Sequence, residues 1–350
     1  MNYITNHERP GVYSAYEASA IVRGSSSGAV VGVVAKGDPL TGNHGEPFRL
    51  YAYEEAVSLF GEEKIITKLC ALLFQNGASG LVVVPVEGDA NYEAAFALLK
   101  EEEEPTVLFC DTAVSTVQNA LKASVEEASA LRRERIGVVC AGAGETVQEL
   151  VARAASLNSE RMVLIAPGTL EETVPEVMLA AAVAGAIAGE ADPAVPLGGC
   201  VLSGVTGISA AYTEESVDAL IRGGVTVVER RGGEISVVRG VTTRTKTGGV
   251  SDQTWRELTT IRIVDDVIPA LRNALRSRFT RSKNTAQVRS AIRSQVIMEL
   301  EEKLRREIIT GYGEVTTKAL EDSPTVCLVE FSFTVAHGLN QIWLAAKITV

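Results

Sequence analysis

Apolar residues along this chain gather into short continuous runs separated by stretches of helical period. A valine-rich run at 29–35 ends in the turn chemistry of Lys36-Gly37-Asp38-Pro39. After a loop through Pro47, helices are predicted over 52–60 and 64–75, stopped by Asn76-Gly77. The middle of the chain then alternates. Strands are expected at 81–86, 106–110, 136–140 and 162–166, with helices at 91–100, 113–131, 145–157 and 175–189. Continuous apolar strands interleaved with helices imply a parallel sheet covered on both faces. Two later strands, 225–228 and 235–238, flank Gly232-Gly233 as a hairpin.

The ends follow a different pattern. Near the N-terminus, Val12-Tyr13-Ser14-Ala15-Tyr16 has strand-forming residues between the turn signal Pro10-Gly11 and the soft run Arg23-Gly24-Ser25-Ser26-Ser27-Gly28. A segment so isolated cannot form a sheet alone. Beyond Gly248-Gly249 the chain reads as mostly helical to about 310. Two alternating strands follow, at 326–335 and 342–350, joined through Ala336-His337-Gly338-Leu339-Asn340. A strand of good β-formers at a chain end is a sticky edge unless it is paired. Both ends therefore read as strands reaching for a sheet.

Charge sharpens the division. The 350-residue chain has a formal net charge of −11, which argues against a general affinity for nucleic acid phosphates. Aromatic residues, at 5%, are too few for base-stacking platforms. Yet residues 269–306 hold ten Lys/Arg against three Glu, so the positive charge is local. There, Ile268, Leu271, Leu275 and Phe279 form a helical apolar stripe. A second series, Val288, Ile292, Val296, Leu300, Leu304 and Ile308, drifts around its helix. The apolar run at 177–189 is shorter than the roughly 20 residues a membrane-spanning helix needs. Five scattered cysteines, none in a C-x-x-C pair, and an N-terminus lacking an apolar h-region lead to the expectation of a cytoplasmic product with buried thiols.

Candidate chemistry is thin. Gly142 and Gly144 lie between a strand and a helix, as in a dinucleotide-binding turn, but the third glycine position is Val147 and no acidic residue closes the next strand. A phosphate-cradling P-loop is absent. The three histidines, His7, His44 and His337, leave the parallel-sheet region without an imidazole for Ser203 or Asp111 to join in a triad. The histidines and cysteines lack metal-ligand spacing. No catalytic residue, cofactor or metal is expected. The alternative is a cytoplasmic nucleotide-dependent α/β enzyme using the Gly142/Gly144 turn.

Taken in order, the parts resemble the contractile tail sheath family of phages, prophages and phage-tail-like bacteriocins. The similarity is nearest to the compact sheaths of Gram-positive prophages. It rests on Arg9-Pro10-Gly11-Val12-Tyr13, Val31-Gly32-Val33-Val34-Ala35 with Gly37-Asp38-Pro39, the stretch 251–306 and the terminal Trp343-Leu344-Ala345-Ala346-Lys347-Ile348-Thr349-Val350. The resemblance implies an N-terminal exchange arm (1–22), a body segment (23–88), a subtilisin-like α/β domain (89–248), a C-terminal α+β domain (249–337) and a C-terminal exchange arm (338–350). It implies strands lent to neighbouring subunits, carried by Val12, Tyr13 and Tyr16 at one end and Ile342, Trp343, Leu344, Ile348 and Val350 at the other. Gly24, Gly28 and Gly338 would be hinges, and Arg272, Arg276, Arg278, Arg289 and Arg293 candidates to face an inner tube. The implied partners are further copies in stacked hexameric discs, a tail tube protein, and baseplate and terminator proteins, with no nucleic acid and no membrane bound by the sheath itself. Assembly would occur in the host cytoplasm, ending in a virion tail or tail-like particle.

Overall fold

The computed structural model describes residues 28–169, 175–321 and 323–340. An eight-stranded sheet organises residues up to Arg239. Its strands are β1 (Val30–Lys36), β2 (Phe48–Leu50), β3 (Gly80–Val86), β4 (Pro105–Cys110), β5 (Ile136–Cys140), β6 (Met162–Ala166), β7 (Val225–Arg231) and β8 (Glu234–Arg239). They lie in the order β2-β3-β1-β4-β5-β6-β7-β8. The six central strands are parallel and the two edge strands, β2 and β8, antiparallel. The chain reverses direction across the sheet at β1, which lies between β3 and β4.

Each strand is apolar throughout because both faces are covered. On one side pack α1 (Tyr53–Phe60), α2 (Ile65–Gln75) and α6 (Pro175–Gly189), against Val31, Val33, Val138 and Ile165. On the other pack α3 (Tyr92–Glu101), α4 (Ser115–Ala130), α5 (Val147–Leu157) and α7 (Glu214–Arg222), against Val34, Leu108, Val139 and Leu164. The predicted strands and helices of this region are all present, most within two residues. Two short elements, β2 and α7, are additional. Strand β2 has only three residues, too few for a period to register. Helix α7 opens on Thr213, whose side-chain oxygen accepts the Ser216 N–H.

Helix α6 explains its own composition. Residues 177–184 are buried without a break, so this helix has no polar face to display. Its two glycines, four residues apart, let the end of α2 come close. A Cβ on Gly185 would lie 2.6 Å from the Leu73 carbonyl oxygen, and one on Gly189 would lie 2.7 Å from that of Asn76.

The C-terminal region forms a third core. Helices α8 (Leu258–Phe279) and α9 (Ala286–Arg305) bury Ile263, Val267, Leu271, Val296 and Leu300 together with Ile308 and Ile309. The buried stripe of α8 therefore runs through Ile263 and Val267, whereas the expected Ile268 is half-buried. The predicted strand at 326–335 is broken. It separates at Phe331-Ser332 into β13 (Ser323–Glu330) and β14 (Phe333–Val335), which pair with β12 (Thr316–Leu320) and β11 (Ile309–Tyr312) respectively. A small hairpin, β9 (Lys246–Thr247) with β10 (Val250–Ser251), turns at Gly248-Gly249.

Alanine normally favours a helix over glycine by about 1 kcal/mol. At Gly185 the contact with the Leu73 carbonyl should reverse that sign. Gly185→Ala is expected to destabilise the chain by about 1–3 kcal/mol in urea unfolding; a stabilised variant would refute this packing account.

Candidate assembly site

The sequence places chemistry-bearing residues at the C-terminal edge of the parallel sheet, where α/β enzymes build their sites. The structure commits these residues to structural contacts. Asp111, at the end of β4, accepts the Lys36 backbone N–H at 2.9 Å and the Tyr92 hydroxyl. Burial raises its carboxyl above the ordinary range, against the lowering effect of those two bonds. Burial also pushes the Tyr92 phenol up, with the Asp111 charge acting in the same direction. The pair ties β1, β4 and α3 together. Ser203 donates its backbone N–H to Asn76 Oδ1 at 2.9 Å, a loop contact far along the chain from Asp111.

The Gly142 turn is occupied by protein. The Glu145 carboxylate folds back beneath it, so that a Cβ on Gly142 would meet Glu145 Oε1 at 2.7 Å. Arg153 grips this carboxylate through Nε at 3.0 Å to each oxygen. Its Nη1 also reaches the Ala113 carbonyl at 2.7 Å and Gln118 Oε1 at 3.2 Å. Burial raises the Glu145 carboxyl, but bonds from Arg153 and the Arg153 charge outweigh it, holding the group below the ordinary carboxylate value. The paired carboxylate thus fills the space beneath the turn that a nucleotide pyrophosphate would need. Helix α5 closes the turn with a capping box between Thr146 and Glu149.

Thiols divide into two groups. Cys70, Cys110 and Cys140 are buried as expected, and burial raises Cys70 and Cys140 to about 12. Cys200 and Cys327 are half-buried, which corrects the expectation of five inert buried thiols. Both lie in segments at the margin of the fold, Cys200 in a loop and Cys327 in an exposed ribbon.

That ribbon and its neighbour are the unusual surface. Strands β12 and β13 pair from Thr316↔Glu330 to Leu320↔Ser323, and β11 and β14 from Ile309↔Val335 to Tyr312↔Phe333. Each is a two-stranded sheet, so among the described residues each ribbon leaves backbone edges unpaired by further strands. Val326 and Leu320 are 42% and 36% exposed. A lone two-stranded ribbon is marginal in water. These two are held by α9, where Arg293 Nε donates to the Val315 carbonyl at 2.7 Å and the Thr317 hydroxyl to the Arg289 carbonyl at 3.2 Å.

The candidate arginines do not share one environment. Arg272 is half-buried and paired with Glu134 of the α/β region at 2.7 Å. This bond and charge outweigh the raising effect of burial and lower the Glu134 carboxyl. Arg278 donates to Gln295 Oε1, and Arg289 to Asn284 Oδ1 at 3.1 Å. With Arg293 on the Val315 carbonyl, four of the five serve contacts inside the chain. Arg276 is exposed and makes no side-chain hydrogen bond or ion pair among the described residues. Sequence reasoning missed the complementary feature, a row of ion pairs holding α8 down. Arg161 binds Asp265 with both guanidinium nitrogens at 2.7 and 2.9 Å, and Lys303 binds Asp266 at 2.5 Å. The acidic pair Asp265-Asp266 among the arginines of α8 was the available signal.

The residues named for strand exchange, Val12, Tyr13, Tyr16, Ile342, Trp343, Leu344, Ile348 and Val350, lie outside the described residues, as does Gly24. Gly28 and Gly338 are described, and each has a packing role. A Cβ on Gly28 would meet the Gly77 carbonyl oxygen at 2.0 Å, and one on Gly338 would meet Pro196 Cβ at 2.7 Å. The chain leaves the described body next to an exposed Leu339. Among the described residues no helix is long and apolar enough to cross a membrane, and no group of His, Cys, Asp and Glu could hold a metal ion.

Comparison with known proteins accounts for this combination. The phage tail sheath protein central domain matches residues 86–243, and the phage tail sheath C-terminal domain matches residues 250–349. The tail sheath protein of Bacillus phage SP01 is 28% identical over 237 residues, 63% of this chain and 39% of that protein. That of Mycobacterium phage Bxz1 is 25% identical over 317 residues, 83% of this chain and 52% of that protein. The chain thus spans about half the length, or less, of these curated relatives. Among solved structures, a chain of the anti-feeding prophage baseplate superposes with a TM-score of 0.77 at 20% identity, covering 99% of this chain and 100% of that one. The same prophage's helical sheath in the contracted state gives 0.74 at 19% identity, covering 98% and 99%. A sheath tail protein from Desulfitobacterium hafniense gives 0.69 at 11% identity, covering 93% and 100%. These likenesses establish a shared fold across the α/β body and the ribbons, and the two domain matches between them take in most of the sequence. The chain belongs to the phage tail sheath protein family.

Proposed function

We propose that this chain is a non-enzymatic structural subunit of a contractile tail sheath. Copies stack as hexameric discs around an inner tube and pass from an extended to a shorter, wider lattice, driving the tube through a target envelope. The observation that carries the reading is the pair of ribbons that, among the described residues, are two-stranded with open backbone edges, in a chain whose two ends are rich in strand-forming residues. Added strands gain backbone hydrogen bonds along their length, with alternate side chains setting the register. Each bond contributes about 0.5–1.5 kcal/mol net. An exchange that passes each strand to a different neighbour does not close on itself and builds a helical filament. The arms are residues 1–22 and 338–350, and the ribbons β11–β14 and β12–β13 are their acceptors. Work then comes from a lattice relaxing between two arrangements rather than from hydrolysis.

For tube contact, the reading narrows to Arg276. It is exposed and uncommitted among the described residues, whereas Arg272, Arg278, Arg289 and Arg293 already serve contacts within the chain. An acidic tube surface is the matching partner.

One sedimentation series tests both parts. Deleting residues 339–350 should leave a folded, soluble body that forms no long polymer; abundant sheaths of normal length from that truncation would defeat the arm reading. Arg276→Glu should reduce co-sedimentation with tubes while leaving self-polymerisation intact. Equal loss of both would assign Arg276 to subunit contacts instead.

A further inference from the structure

Side chains alternate between the two faces of a strand, and the faces of the β12–β13 ribbon meet different surroundings. Thr317 and its cross-strand partner Val329 share the inner face, where the Thr317 hydroxyl reaches the Arg289 carbonyl of α9 at 3.2 Å. One residue along, Thr316 pairs with Glu330 and Lys318 with Leu328, so these four share the outer face. Val326, two residues before Leu328 on the same strand, joins them. Leu328 is half-buried and Val326 exposed. Beside them Lys318 and Glu330 form an ion pair at 2.8 Å. Strands added at the ribbon edges lie beside this face and leave it uncovered.

Helix α9 has a matching surface. Val296 and Leu300 point into the third core. On the opposite side of the helix, Met298 is 57% exposed. With the half-buried Ile297 and Leu304 it lines a groove of about 490 Å³, rimmed by Glu301, Glu302 and Arg305. Glu302 pairs with Arg305 at 2.5 Å. Glu301 accepts the Tyr312 hydroxyl and has no basic partner among the described residues.

The two surfaces complement each other. Met298, Ile297 and Leu304 offer an apolar floor to Val326 and Leu328. Lys318 of the ribbon is a base for Glu301, and Arg305 of the helix is a base for Glu330. The packing mode is one the fold already uses, since α9 covers the inner face of this same ribbon. A two-stranded ribbon with one wet face is marginal, and a second helix on that face would bury it as a layered domain buries its sheets. One copy would present its groove where the next presents its ribbon. Such a contact is heterologous and extends from copy to copy without pairing off into dimers.

We propose that the outer face of the β12–β13 ribbon packs into the Met298 groove of α9 in a second copy, so that helices and ribbons alternate along the polymer. The inference rests on the reading that copies polymerise. It adds a face contact to the edge contacts of that reading, and no arm residue takes part in it.

The test combines Met298→Cys with Val326→Cys in the full chain and oxidises sedimented polymer with diamide. Non-reducing electrophoresis should show a ladder of covalent trimers and longer species. Either single variant should stay at the background set by the native Cys200 and Cys327. Polymer without a ladder in the double variant would overturn the proposal, as would covalent dimers from Met298→Cys alone, which would place two α9 surfaces against each other. Should the double cysteine variant not sediment, Met298→Lys and Val326→Glu decide. Each alone should raise the concentration needed for polymer about tenfold with monomer unfolding in urea unchanged, and the two together should recover most of that loss. Unaltered polymerisation in both single variants, or no recovery in the pair, would again overturn it. An unaltered chain that forms no polymer at all fails the sheath reading itself and the stacking with it, a result distinct from polymer that gives no ladder.

Discussion

Backbone groups at the rim of a sheet must find partners, and most of this molecule can be understood from where that requirement is met and where it is left open. In the eight-stranded sheet it is met. Strand β8 is covered by the loop at 199–202, whose backbone bonds to Ile235 and Val237 continue the ladder, and β2 is only three residues long. Short or covered edges are how soluble sheets avoid pairing with other chains. The C-terminal ribbons do the opposite. Among the described residues they are two strands wide, half-exposed, and supported from one side by α9. Among the described residues the large sheet is thus closed at its rims, while the two ribbons are left open.

Behind the ribbons lies a body built to hold its shape. The α/β region has a continuous core on each face of the sheet. Helix α8 is fastened to it by Leu258 and Ile261 in one core and by the Arg161–Asp265 and Arg272–Glu134 pairs along its length. Burial raises the Asp265 carboxyl despite the Arg161 bonds, the desolvation cost that accompanies a buried ion pair. Breaking one partner would leave a buried charge, which disfavours sliding of α8. Apolar contact provides the adhesion and the ion pairs provide the register.

Much of this was legible from residue order. The alternation of apolar strands with helices places β1 and β3–β8 because buried parallel strands have no polar face to blur the pattern. Helix α6 was legible for the same reason. The pattern did not reveal β2, which is too short, or the break at Phe331-Ser332, because Val329–Val335 alternates straight through it while the backbone changes partners. The basic segment showed the limit more clearly. Nothing in the residue order separated the five candidate arginines, because the partners of four of them (Glu134, Gln295, Asn284 and the Val315 carbonyl) are set by the fold and could not be inferred from spacing on α8 and α9. The Gly142 turn was rejected from sequence for lack of a third glycine; its structure adds a stronger reason, the Glu145 carboxylate held by Arg153 within it.

In the proposed reading, strands from the two ends of one copy complete the ribbons of others. A cryo-EM reconstruction of the assembled polymer, at a resolution that allows the chain to be traced from one copy to the next, tests it most directly. Residues 12–16 and 342–350 should be found hydrogen-bonded to ribbon edges of different neighbouring copies. Both segments lying against their own chain, with the ribbons two strands wide in the polymer, would contradict the account.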